Sequence, residues 1–249
     1  VNFKIKPYIE IFKQFLQSLV YFSDISKFEL CVITDEITAR TIKKLSLVKS
    51  FPNVSYVIVP VNATLETALF RKFDITKHPE FLTYDKILFL DCDILVIQDV
   101  MKLFKNIKVN KDKLHVAQEG SLKEPYWRLN AFAQNISTMI LQDKQSFNSG
   151  EFIFKPSANM KRHFEQAKEF GLTKSHTKFY DQPVFNYYFN KHNLVVMCPY
   201  LSKKLQLFPD PSKQYHNKIL LHFTGIGRYE EKAPMMKRYL AEFILSQNH

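Results

Sequence analysis

Apolar residues near the start of the chain recur at three- and four-residue steps, at Ile9, Phe12, Leu16, Leu19 and Val20, which predicts a helix over residues 5–22 with one face on a core. Phe28 to Ile33 is a largely apolar run closed by Thr34-Asp35-Glu36. Ile37 to Val48 returns to helical spacing with Lys43, Lys44 and Lys49 outward. Val54 to Val59 is a β-branched run ended by Pro60, residues 64–73 suit a helix, and Lys86 to Leu90 repeats the strand pattern. Continuous apolar strands alternating with helices predict a Rossmann-like α/β fold, whose mixed, mainly parallel sheet is flanked by helices. The second half is less regular. Leu114 to Ala117, Phe152 to Lys155, Leu194 to Met197 and Ile219 to Phe223 read as strands. Ser157 to about Phe170, Val184 to Lys191 and Ala233 to Ser246 read as helices.

Length changes this picture little: 249 residues suit one large domain, residues 1–249. The chain contains no uninterrupted apolar run of roughly 18 residues and no secretory signature at its start, so a chain without a transmembrane segment, in the cytoplasm, is expected. It opens at Val1 without a Met, which suggests that upstream residues are removed or absent. The charge is +11, from 35 basic and 24 acidic residues, and this favours anionic partners. The basic residues are scattered, however, and a Lys- and Asn-rich composition yields the same excess. Cys31, Cys92 and Cys198 lie too far apart for a disulfide framework or a zinc spacing, which favours a reducing compartment. The glycosylation triplets at Asn53, Asn62 and Asn135 are of a kind that arises by chance in Asn-rich chains. Only 5 glycines are present, with no Gly-x-Gly-x-x-Gly or Walker loop, so a bound nucleotide would need its phosphates neutralised by something other than glycine-rich backbone.

The candidate chemistry begins at Asp91-Cys92-Asp93, directly after the strand Ile87 to Leu90. In an extended segment the two carboxylates share one face and repel unless a cation lies between them; oxygen ligands suit Mg²⁺ or Mn²⁺. A polar turn after a buried strand is the alternative. Cys92 points the other way, toward a core. His222 closes another strand and precedes Phe223-Thr224-Gly225-Ile226-Gly227-Arg228, where it can add a nitrogen ligand and Arg228 can reach a phosphate. Asp181-Gln182 before Pro183 is either a helix cap or a site, and the two are compatible. Asn148-Ser149-Gly150 can bond sugar hydroxyls or form a turn.

In order and content these motifs resemble the glycogenin-like retaining glycosyltransferases, family eight, which have the GT-A fold; the resemblance runs from about residue 8 to 240. Tyr84 to Asp93 is similar to the family's strand and Asp-x-Asp, and Phe147-Asn148-Ser149-Gly150 to its sugar-contacting segment. Asp181-Gln182 is similar to its acidic–amide pair near the transferred sugar, and His222 to Arg228 to its His-x-x-Gly-x-x-Lys. Arg228 stands where the family has Lys, and Tyr229-Glu230 where Pro-Trp often follows. Leu69 to Phe73 resembles the segment whose basic residue, Lys72 or Arg71, binds donor, with Lys72 the better fit.

The resemblance implies a nucleotide-sugar donor, expected to be a UDP-sugar, with Asp91, Asp93 and His222 on Mn²⁺ (or Mg²⁺). It puts Lys72, Arg71, Asn148, Ser149, Gly225 and Arg228 on the donor, and Asp181 and Gln182 at the transferred sugar. Retention of configuration is implied, with attack from the leaving-group side favoured because an amide is a poor nucleophile. The acceptor, a glycan, protein or small molecule, is expected over Glu119 to Gln145, which includes Pro125-Tyr126-Trp127-Arg128. The family's first strand has no counterpart before Lys6. The oligomeric state is left open, a dimer being allowed. Two other classes compete. A haloacid-dehalogenase phosphatase also has Asp-x-Asp after a buried strand, but no convincing acidic pair follows downstream. A basic nucleic-acid-binding domain would explain +11, but no recognition motif is present and no nucleic-acid partner is expected.

Overall fold

A computed structural model describes residues 5–61, 65–122, 144–173, 181–210, 212–226 and 228–246. The chain divides into two compact units: residues 61–89 and 108–199 form one, and residues 2–60, 90–107 and 200–249 form the other.

The second of these holds α1 (Ile5–Phe22) and a parallel pair, β1 (Leu30–Thr34) with β2 (Val54–Ile58), in register Leu30 to Val54. Between the two strands lie α2 (Glu36–Ile42) and α3 (Ser46–Lys49). Asp35 caps α2, accepting from the Thr38 N–H at 3.0 Å and the Thr38 hydroxyl at 2.9 Å. The single helix expected over 37–48 is therefore two. Ala39, Ile42, Leu45 and Val48 repeat every three residues, a spacing that drifts by about 60° per step on an α-helix; breaking and restarting the helix keeps Ala39, Ile42 and Val48 buried.

The same unit contains β4 (Ile94–Val96), α5 (Met101–Asn106), α8 (Pro199–Lys204), β8 (Leu205–Leu207), β9 (Leu220–His222) and α9 (Tyr229–Ser246). Strand β9 is central, antiparallel to β4 and parallel to β8. Helix α1 supports β4 directly: the fully buried Ser18 hydroxyl donates to Phe15 O at 2.7 Å and accepts the Val96 N–H at 3.0 Å. Leu95, Ile97, Leu221, Phe223, Met236, Tyr239 and Leu240 form the core, with Ile11 of α1.

The other unit contains α4 (Leu65–Leu69), β3 (Ile87–Leu90), β5 (Leu114–Ser121), β6 (Gln145–Phe154), α6 (Ala158–Thr173), α7 (Asp181–Lys191) and β7 (Val195–Met197). Its four-stranded sheet runs β3-β6-β5-β7, with β5 antiparallel to β6 and parallel to β7. The helix expected over 64–73 gives way after Leu69 to a 3₁₀ helix, Phe70–Lys77. Three residues per turn eclipse positions i and i+3, and Phe70 and Phe73 stack there at 5.7 Å. Phe73 also stacks on Phe185 at 4.4 Å, within an aromatic core that includes Phe152, Phe154, Phe164 and Phe189.

Among pairings with a described register, three are parallel and two antiparallel, so the sheet content is mixed as well as mainly parallel. Among the described residues no helix is long and apolar enough to cross a membrane.

Packing in the aromatic core is tight enough to test. A Cβ at Gly171 would lie 2.2 Å from Phe70 Cε1 and 3.1 Å from Val184 Cγ1, and Phe70 is itself fully buried and stacked. Alanine gains about 1 kcal/mol of helix propensity over glycine, whereas overpacking costs about 1–3 kcal/mol. Gly171→Ala is expected to lower stability in urea unfolding despite the better helix former.

Candidate functional site

The ladder between β4 and β9 assembles the first group. Ile94 pairs with His222, and the Phe223 N–H donates to Asp93 O at 2.9 Å, which fixes the end of one strand against the end of the other. Asp91, Asp93 and His222 thereby bring one ligand atom each within 4.8 Å of one another. His222 Nε2 is 3.3 Å from Asp93 Oδ1 and the ring is 1% exposed, while both aspartates are half-buried. Two carboxylates and one imidazole fit Mn²⁺ or Mg²⁺ by donor chemistry and spacing. Cys92 faces the core and is no ligand: burial, then Asp93, pushes its thiol up to about 12, so it stays protonated at neutral pH.

Burial raises the pKa of Asp93, but His222 and Lys232 outweigh this and hold it well below the usual carboxylate range. Lys232 Nζ lies 2.5 Å from Asp93 Oδ2 and the residue is 7% exposed. This cation was not picked out by motif. It sits four positions after Arg228, in the first turns of α9, a spacing that would have found it once the helix start was known. Arg228 is exposed at the start of α9, its backbone N–H donating to Glu231 Oε2 at 2.8 Å. Gly225 adopts φ +63°, where a side chain is strained and a Cβ would meet Phe208 at 3.1 Å.

The second group belongs to the other unit and is built on a distortion of β6. Val116 pairs with Phe152 and Gln118 with Phe147, so Asn148 to Glu151 stand opposite Ala117 alone. The segment for which a turn was one of two readings is a bulge inside a long buried strand. Asn148 stabilises it, its Oδ1 accepting the Gly150 N–H at 2.8 Å. The bulge aims Ser149 at Lys72 and Asp181. Lys72 Nζ lies 2.8 Å from Asp181 Oδ2, 3.1 Å from Ser149 O and 3.3 Å from Ser149 Oγ. The Ser149 hydroxyl donates to Asp181 Oδ2 at 2.7 Å. Asp181 thus opens α7 while its carboxylate reaches across to the bulge.

Gln182 joins through a Ser149 N–H bond to its Oε1 at 3.5 Å, and its amide donates to Glu119 Oε2 at 3.0 Å. Glu119, expected only as the first residue of the acceptor stretch, lies on β5 beyond the four residues expected as strand. Arg71 is not in this group. Its guanidinium faces Asp74 at 3.5 Å, beside Lys168 and Lys77 on the same carboxylate. Most of the expected acceptor stretch, including Pro125 to Arg128, lies outside the described residues.

The sequence profile of glycosyl transferase family 8 matches residues 6–228, most of the chain. The chain belongs to glycosyl transferase family 8. Among solved structures it resembles the WbbM bifunctional glycosyltransferase (14% identity, TM-score 0.62), covering 95% of this chain and 49% of that one, so it spans about half of WbbM. It also resembles the galactosyltransferase LgtC solved with donor and acceptor sugar analogues (14%, 0.59), covering 95% and 91% of the two chains. Mouse xyloside xylosyltransferase 1 aligns over 88% and 93% (15%, 0.55). No curated protein sequence matches the chain. The fold is mixed α/β of GT-A type, and the protein is a family 8 glycosyltransferase, which displaces the phosphatase and nucleic-acid readings.

The buried Lys72–Asp181 pair makes a stability prediction. Asp181→Ala leaves an ammonium without its carboxylate in a site 2% exposed, and removing one partner of a buried pair costs about 3–5 kcal/mol. Adding Lys72→Met to Asp181→Ala is expected to recover part of that loss in denaturant unfolding.

Proposed function

We propose that this family 8 enzyme moves a hexose or related sugar, with retention, from a UDP-sugar to a glycan, protein or small-molecule acceptor, using Mn²⁺ or Mg²⁺ held by Asp91, Asp93 and His222. The observation that carries this is the convergence of those three ligand atoms within 4.8 Å, on residues that the family profile also spans. When bound, the cation would neutralise the donor's diphosphate and the charge developing on the departing nucleoside diphosphate. The family profile runs through both compact units, which supports treating residues 1–249 as one GT-A domain.

Lys72, Asn148, Ser149, Asp181 and Gln182 are assigned to the donor sugar, Arg228 and Gly225 to the diphosphate side, and Arg71 to holding Asp74. Asp181 Oδ2 already accepts from Lys72 and the Ser149 hydroxyl, and an oxygen so engaged is a weakened nucleophile. Gln182 offers only an amide. Both facts support attack by the acceptor on the leaving-group side, with Asp181 fixing the position of Lys72 and Ser149.

Screening nucleotide sugars for Mn²⁺-dependent hydrolysis, with chelator as control, tests the reading. UDP-sugars are expected to be turned over, and Asp91→Asn, Asp93→Asn and His222→Ala to lose about 100-fold or more each. Undiminished metal-dependent turnover in all three variants would remove the metal assignment.

A further inference from the structure

The two oxygens of Asp93 are divided between different partners: Oδ1 lies 3.3 Å from His222 Nε2, and Oδ2 lies 2.5 Å from Lys232 Nζ. Without a cation, Asp91 and Asp93 repel each other, and the ammonium offsets that repulsion from within the protein. A divalent cation on the same carboxylate reverses the balance, because it and Lys232 would then be like charges held by one acceptor. Lysine is suited to leave, having three freely turning donors on a four-carbon stem. It departs from the first turns of α9, just after the loop that Gly225 shapes. The anion that accompanies the cation in the proposed reaction is the donor's diphosphate.

We propose that Lys232 exchanges partners during the reaction cycle, serving as counter-ion to Asp93 in the metal-free protein and as a ligand of the donor diphosphate once the cation is bound. This rests on the metal reading of Asp91, Asp93 and His222. It assigns Lys232 a role distinct from that of Arg228, which is exposed one helical turn earlier.

The exchange has opposite signs in two titrations. In Lys232→Met, calorimetric titration with Mn²⁺ alone is expected to show binding tightened by about tenfold, and titration with UDP at saturating Mn²⁺ to show binding weakened by about tenfold. Lys232→Gln should repeat the pattern, and Lys232→Arg should keep Mn²⁺ affinity near that of the unaltered protein, with circular dichroism confirming the fold of each. A lysine that merely packs would weaken both titrations or neither. Unchanged or weaker Mn²⁺ binding in the Met and Gln variants overturns the proposal, as does unchanged UDP binding. Asp93→Asn and His222→Ala separate the two failures: if they bind Mn²⁺ as the unaltered protein does, the metal reading itself falls. If they lose Mn²⁺ while the Lys232 variants match the unaltered protein, only the exchange falls.

Discussion

The antiparallel pairing of β4 with β9 is the constraint on which the candidate metal group depends. Asp93 and His222 are far apart in sequence, and they meet because Ile94 faces His222 and the Phe223 N–H closes on Asp93 O. Register is unforgiving here. A slip of one residue would turn His222 to the opposite face and bring a leucine to the site. Ser18 therefore has a role beyond its own helix, because its hydroxyl satisfies the Val96 N–H and ties β4 to α1. Ile97 continues the ladder by donating to Ile219 O at 2.9 Å, and Leu95, Ile97, Leu221 and Phe223 bury it in a common core. A short pair of strands is thus held by its neighbours rather than by its own length.

The other unit reaches a comparable result by breaking a ladder. Asn148 to Glu151 depart from regular pairing with β5, and helix α7 steadies the residue just before them: the Asn186 side chain accepts the Phe147 N–H at 2.9 Å and donates to Phe147 O at 2.8 Å. With the bulge pinned, Ser149 has one place to point. Burying Lys72 and Asp181 carries a desolvation cost that a single contact would scarcely offset. Both groups of Ser149 join the pair, so the charges are hydrogen-bonded as well as matched. Such an arrangement adds less to stability than to definition, since few alternative packings satisfy all of these donors and acceptors.

These two constructions explain which parts were legible in the sequence. Helix α1 carries a long apolar stripe, and β1 and β2 are apolar runs closed by turn signals, so periodicity alone located them. Strands β4 and β8 are three residues long and were not read as strands, whereas the equally short β7 and β9 lie within the longer runs Leu194 to Met197 and Ile219 to Phe223; α5 and α8 have six residues each, and α8 passes directly into β8. The bulge in β6 was invisible for another reason: Asn-Ser-Gly reads locally as a turn, and only pairing with β5 keeps it within a strand. The candidate metal triad was legible because both its parts end apolar runs. Its lysine was not, since the last helix was expected to begin only at Ala233, whereas Glu230 and Glu231 lie in its first turn and Glu231 accepts the Arg228 N–H.

Choosing among cations illustrates the same limit more sharply. In a 3₁₀ turn neighbouring side chains diverge by about 120°, and adjacent Arg71 and Lys72 accordingly face different carboxylates, the first Asp74 and the second Asp181. On α9 the reverse holds, because residues four apart share a face and a count from His222 that stops at Arg228 stops one turn early. An excess of +11 over a whole chain carries none of this information. Lys232 and Lys72 are each met by a carboxylate that the fold puts in place: Asp93 by the ladder with β9, and Asp181 by the helix packed on the bulge.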